Sequence, residues 1–244
     1  MMHTQSMKIA PDALPHGRRA TPAGVPGHDV QFYDGEDFLV RSVAKFLAEG
    51  IRAGQPYIVI ATGPHREQYA KALRRMGFDN DEVFSGREAV WLDARDTLSA
   101  FMEGGRPNRE LFFATVGNVF EGVMNKRSYL VVRAYGEMVD LLWKDGNAQG
   151  TIALEELWNE LAAKYSFSLL CTYSMNNFQE EADSEGFRRI CAQHVHALPT
   201  EEYLEASDSE RLRQLAMLQQ RSRALDVEIS RRVELELKVR ELAG

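Results

Sequence analysis

Several groups of residues have the types and spacing to do chemistry. In residues 129–143, YLVVRAYGEMVDLLW, four strand-forming residues run into Arg133, Gly136 and Glu137 and then into an apolar segment with helical spacing. Arg133 is expected directly after a strand, at the carboxyl edge of a sheet, with Gly136 turning the chain and Glu137 opening the next helix. An Arg–Glu pair there has three readings: it polarises a ligand or activates water, it senses a ligand, or it is a structural ion pair. A second strand-like run, YIVIA, ends in ATGPHREQ, which sets Thr62 and His65 at the same edge, with Pro64 opening the following helix. Tyr33 ends the first strand and joins them. After it, Asp34, Glu36 and Asp37 stand where a phosphate-binding loop would need positive charge. Close carboxylates repel a triphosphate, and their residue types suit helix capping instead.

Further along, Glu155 and Asn159 share a helix face at i, i+4, and a following strand supplies Cys171, Thr172 and Tyr173. Cys171 reads as a small buried hydrophobe, because no motif identifies a histidine partner that would make it a nucleophile. Cys191, His194 and His196 have a C-x-x-H-x-H look, but on a helix residues 194 and 196 point about 200° apart. No metal site is expected there.

These residues need elements to position them. From His28 onward, short β-rich runs (VQFY 30–33, YIVIA 57–61, AVWL 89–92, YLVV 129–132, FSLLCTY 167–173) alternate with amphipathic helical segments. Strands separated by helices pair in parallel through βαβ crossovers, and continuously apolar strands are covered on both faces. The expectation is an α/β fold: a mostly parallel sheet of five or more strands with helices on both faces. PNRELFFATVGNVFEGVMNKRS adds a helix or helix pair. Residues 1–27, rich in proline and glycine, read as a flexible leader outside the fold.

With 244 residues and 44% apolar composition the chain has enough material for one large α/β domain and an appendage. A formal net charge of -7 and no basic stripe speak against direct nucleic-acid binding. Two distant cysteines, no long apolar run and no apolar leader segment fit a cytoplasmic protein with neither disulfide framework nor membrane span. From Ser207 to Leu242 there is no glycine or proline, and Leu215, Leu218, Leu225, Ile229, Val239 and Leu242 recur at three-, four- or seven-residue spacings. That predicts a long helix with an imperfect heptad seam, broken by Ser222, Arg232 and Glu236, either packed on its own domain or paired in a dimer.

The stretches HDVQFYDGEDFLVRSVAKFLAEGIRAGQPYIVIAT, RAYGEMVDLLW, LEELWNELAAKYSFSLLCTYSM and ICAQHVHALPTEEY together resemble the MEDS domain, the sensory domain of methanogen and methylotroph regulators, over roughly residues 28–203. The resemblance implies a RecA-type ATPase fold, related to circadian-clock ATPases, that has lost its phosphate loop at YDGEDF and carries Arg133 where a magnesium-binding aspartate would stand. It also implies a non-enzymatic signal-input module without a cofactor, followed by a signalling helix over 207–244. Such a module would bind a small organic ligand or a regulatory protein near Tyr33, Thr62, His65, Arg133, Glu137, Glu155 and Tyr173, and signal through a homodimeric helix in a two-component or transcription pathway. Two rival readings stand beside it: a hydrolase using Glu137 as base with Arg133 as oxyanion partner, and nucleotide binding in an altered mode.

Overall fold

The structure is a computed structural model, describing residues 20–79, 82–85, 88–124 and 131–243. Six strands, β1 (Gly27–Tyr33), β2 (Tyr57–Ala61), β3 (Ala89–Asp93), β4 (Val132–Gly136), β5 (Phe167–Ser174) and β6 (His196–Leu198), form one sheet in the order β3-β2-β4-β5-β1-β6. Every pairing in it is parallel. The YIVIA of β2 is buried throughout, as a strand covered on both faces must be.

Right-handed crossovers decide which helix covers which face. The connections running toward the β3 edge carry α1 (Glu36–Arg52) and α2 (Gly63–Arg75), which pack on each other. Those running the other way carry α3 (Ala94–Ser99), α4 (Asn118–Met124), α5 (Met138–Lys144), α6 (Ala148–Ala162) and α7 (Asp183–Gln193) on the opposite face, where α5 packs on α6 and α6 on α7. Two neighbouring pairs, β2/β4 and β1/β5, therefore send their chains to opposite faces. At such points loops part and leave a crevice at the carboxyl ends of the strands.

The larger core lies under α4 to α7. Trp158 sits among Phe112, Phe120 and Phe167, with ring centroids 5.4, 6.2 and 6.2 Å away. The segment before α4 is a single helical run, Arg109–Phe112 followed by a π-helical turn at Phe113–Gly117.

Some boundaries differ from the sequence reading. β4 begins at Val132, so Arg133 is its second residue and not the residue after it; positions 129 and 130 of the expected YLVV strand lie outside the described residues. Gly136 closes β4 without a positive φ, so it makes no tight turn. The ordered fold also starts before residue 28: Thr21 is buried, and its backbone N–H donates to the Asp29 carboxylate. A sixth strand, His196–Leu198, occupies what looked like a helical segment.

Residues 202–243 form a separate unit, dominated by α8 (Asp208–Ala243). Its start is a capping box: Ser207 N–H and Oγ both meet Glu210 Oε2, at 2.9 and 2.6 Å. Leu215, Leu218, Leu225 and Ile229 of the expected seam are all exposed, as are Met217 and Val227 off that line. Among the described residues no helix is long and apolar enough to cross a membrane.

Candidate functional site

The crevice predicted by the connections is present. A cavity of about 170 Å³ opens at the carboxyl ends of the strands, lined by Tyr33, Leu39, Thr62, His65, Tyr135, Glu137, Asp140, Leu141, Lys144 and Thr172. Tyr33 ends β1, Thr62 follows β2, Tyr135 and Glu137 come from the end of β4, and Thr172 from β5.

Glu137 organises one wall. It stands at the N-cap position of α5 but makes no side-chain cap there. Its carboxylate instead crosses to the β2–α2 junction, where Oε1 accepts from Thr62 N–H at 2.7 Å and Oε2 from His65 Nδ1 at 2.7 Å. This satisfies an orphan amide at the α2 N-terminus and sets negative charge against the helix dipole. The other nitrogen of His65, Nε2, lies 2.9 Å from Glu36 Oε2, so the ring donates to a carboxylate on each side. Burial by itself pulls the His65 imidazolium down, but the hydrogen bonds and charges of Glu137 and Glu36 outweigh it and hold its pKa above the ordinary value.

The folded value exceeds the unfolded one, so this stabilisation is complete below about pH 6.5, the ordinary histidine value, and is lost as pH rises through the folded value. The gap in unfolding free energy between the native chain and His65→Gln is therefore expected to be larger near about pH 6 than near about pH 9. Equal gaps at both would show that folding does not raise the His65 pKa.

The opposite wall is built on Asp140, whose Oδ2 pairs with Lys144 at 2.7 Å one helical turn on and lies 3.5 Å from the Tyr33 hydroxyl. Burial raises the Asp140 carboxyl above its usual range, against the opposing pull of Lys144, Ser174 N–H and Asn177. The floor is a chain of hydroxyls: Tyr69 to Tyr135 at 2.9 Å and Tyr135 to Thr172 Oγ1 at 3.0 Å. Burial pushes both tyrosines well up, so they stay neutral donors. Beside the cavity, the β1–α1 loop amides of Asp34 and Gly35 donate to the Glu201 carboxylate at 3.1 and 2.7 Å.

Of the residues singled out from sequence, Tyr33, Thr62, His65, Glu137 and Thr172 line the cavity. Arg133 does not. As the second residue of β4 it pairs with Tyr57, the first residue of β2, at the amino end of the sheet. Its side chain is buried against α1, donating to Phe46 O at 3.0 Å, Thr21 O at 2.8 Å, and toward Ser168 Oγ and Glu49 Oε2, each at 3.3 Å. The guanidinium also stacks 3.6 Å from the Phe46 ring centroid. Gly50 makes this fit possible, because a Cβ there would come within 2.9 Å of Arg133 Cγ. Burial lowers the Arg133 pKa to about 10, which leaves it charged at neutral pH. Arg133 and Glu137 thus belong to opposite ends of one strand and form no pair, so a hydrolytic mechanism needing both on one substrate has no geometry here.

Glu155 and Tyr173 are also turned away from the cavity. Tyr173 OH donates to Glu155 Oε1 at 2.6 Å on the α5–α7 face. There Glu155 meets His28, Cys171 and His194, and the four offer ligand atoms within 4.8 Å of one another. Cys191 and His196 stay out of this group; His196 Nδ1 pairs with Asp29 Oδ1 at 2.9 Å. No sequence pattern singled out His28, or Tyr135, Asp140 and Lys144 in the cavity. The available signal was an aspartate inside the apolar run MVDLLWK with a lysine four residues on.

Fold and site define an α/β domain whose doubly covered parallel sheet presents a small polar cleft at the divergence of its connections. Residues 27–194 match the family MEDS, described as MEthanogen/methylotroph, DcmR Sensory domain. The chain belongs to this sensory-domain family. No curated protein matches it.

Proposed function

We propose that the chain is a signal-input module that takes a small, neutral, hydroxyl- or carbonyl-bearing organic molecule in the cleft of Tyr33, Thr62, His65, Glu137, Asp140 and Thr172. The observation that carries this reading is the cleft itself: about 170 Å³, at the sheet's carboxyl edge, with charges already paired as Glu137–His65 and Asp140–Lys144. Drug-sized ligands occupy about 300–1,000 Å³, whereas a cavity of about 150 Å³ admits benzene, so size points to a molecule of few heavy atoms. Among the described residues lining the cleft, internal pairing leaves no free cation to hold a phosphate, while tyrosine and threonine hydroxyls can exchange hydrogen bonds with a neutral polar group. Belonging to a sensory-domain family supports binding without turnover.

The output element in this reading is α8, pairing with a second copy through the Leu215, Leu218, Leu225 and Ile229 stripe, as part of a two-component or transcriptional pathway. A panel of short alcohols, ketones and amides, screened by thermal shift, is expected to contain compounds that raise the unfolding midpoint of the native chain and not of Thr172→Val, which keeps shape but loses the hydroxyl. A panel without any stabilising compound would sink the proposal.

A further inference from the structure

We propose that His28, Glu155, Cys171 and His194 form a closed, four-coordinate site for a divalent transition metal of the zinc class, on the face of the sheet opposite the α1–α2 layer. The four come from different places in the chain: β1, α6, β5 and the residue after α7. They converge tightly. His28 Nε2 lies 3.4 Å from Cys171 Sγ and 3.3 Å from Glu155 Oε2, Cys171 Sγ lies 3.7 Å from Glu155 Oε2, and His194 Nε2 lies 3.5 Å from the same oxygen.

These four of the six separations match the edges of a tetrahedral site, and the other two, within 4.8 Å, would close around the ion. A tetrahedron's edge is about 1.6 times its centre-to-vertex distance, so zinc bonds of about 2.0–2.3 Å give ligand–ligand distances of about 3.3–3.8 Å.

The surroundings aim the lone pairs inward. His194 Nδ1 lies 2.7 Å from the Ile190 carbonyl, which can only accept, so Nδ1 carries the proton and Nε2 the lone pair. His28 Nδ1 lies 2.9 Å from Asn159 Oδ1. That amide is oriented by its own Nδ2, which donates to Gln193 O and Gln193 Oε1 at 3.1 and 2.8 Å, so its oxygen faces His28 and fixes the same tautomer. Tyr173 holds the other oxygen of Glu155. Outer partners that lock ring tautomer and carboxylate direction are characteristic of metal ligands.

The Cys171 thiol can donate to Glu155 Oε2, but one inner atom is left badly placed unless a cation lies among them. His194 Nε2 is buried and makes no hydrogen bond, and it points at a carboxylate oxygen, an acceptor facing an acceptor. A divalent ion would resolve this. On binding, Cys171 gives up its thiol proton to solvent and the Sγ–metal bond forms; thiolate and carboxylate together offset the metal's two positive charges, leaving a neutral buried unit. Side chains of all four are buried, and four protein ligands leave no open position, which makes the ion structural: it would tie β1 and β5 to α6 and the end of α7.

The full chain, stripped with a chelator and titrated with cobalt(II), is expected to bind about one ion with tetrahedral d–d bands and a thiolate-to-cobalt charge-transfer band. Zinc is expected to displace it and to raise the thermal midpoint. Cys191→Ser is expected to leave the charge-transfer band intact and Cys171→Ser to abolish it. A native chain that shows neither band overturns the proposal, whether or not any variant folds. So does a band lost in Cys191→Ser and kept in Cys171→Ser. Cleft ligand binding plays no part in this readout.

Discussion

Arg133→Ala is expected to lower the unfolding free energy by about 3–5 kcal/mol, the range for truncating a large buried side chain, here one that also leaves buried acceptors without their donor. The guanidinium is fully buried, and its partners are two backbone carbonyls, a serine hydroxyl and Glu49. Glu49 is 37% exposed, so water screens that pair and it contributes little by itself. The main loss comes from elsewhere. Alanine would orphan the Thr21 carbonyl, take a second donor from the Phe46 carbonyl, empty the space under Gly50 and remove the cation from the Phe46 ring. Glu49→Gln should accordingly shift stability by less than about 1 kcal/mol. Denaturant unfolding measures both. An Arg133→Ala chain with near-native stability that had selectively lost response to cleft ligands would place Arg133 in the cleft and refute its position at the amino end of the sheet.

Glu137→Ala is expected to cost about 2–3 kcal/mol, by leaving two polar groups without their buried acceptor. Thr62 N–H and His65 Nδ1 both rely on that carboxylate at 2.7 Å. Two walls of the cleft would loosen together, so stabilisation by any compound found in the thermal-shift panel is expected to vanish as well. Glu137→Gln separates charge from shape. The amide oxygen still accepts from Thr62, but the anion beside His65 is gone, so the His65 titration followed by NMR should move to lower pH. Glu36, whose side chain is 59% exposed, should move it less when neutralised. A His65 titration unchanged in Glu137→Gln would break the proposed link between these residues.

Most of the scaffold was legible because it follows from local chemistry. Continuous apolar runs such as YIVIA can only be strands covered twice, and alternation with helices forces parallel pairing. Thr62 and His65 were readable as edge residues because the proline of ATGPHREQ fixes where β2 ends and α2 begins. Arg133 was misplaced for a reason of register. In YLVVRAYG the continuous apolar run ends at the arginine, but the strand runs on to Gly136, and that shift moves Arg133 from the carboxyl end of the sheet to the amino end. A charged residue inside a buried strand contradicts local pattern, and only the pocket formed by Phe46, Gly50 and Thr21 makes it tolerable.

The four-residue cluster shows the same limit. Its members span positions 28 to 194, and no spacing rule links them. The C-x-x-H-x-H pattern drew attention to Cys191 and His196, yet the chain leaves its helix at His194 and enters β6, sending His196 toward Asp29 and His194 toward Glu155. Periodicity, turn residues and composition determine which segments are strands and helices, and that the sheet is parallel with a crevice expected at its carboxyl edge. Tertiary structure decided which side chains meet, because strand register and the face taken by each crossover bring together residues far apart in sequence. It set Arg133 and Glu137 at opposite ends of one strand, and gathered His28, Glu155, Cys171 and His194 around a single point.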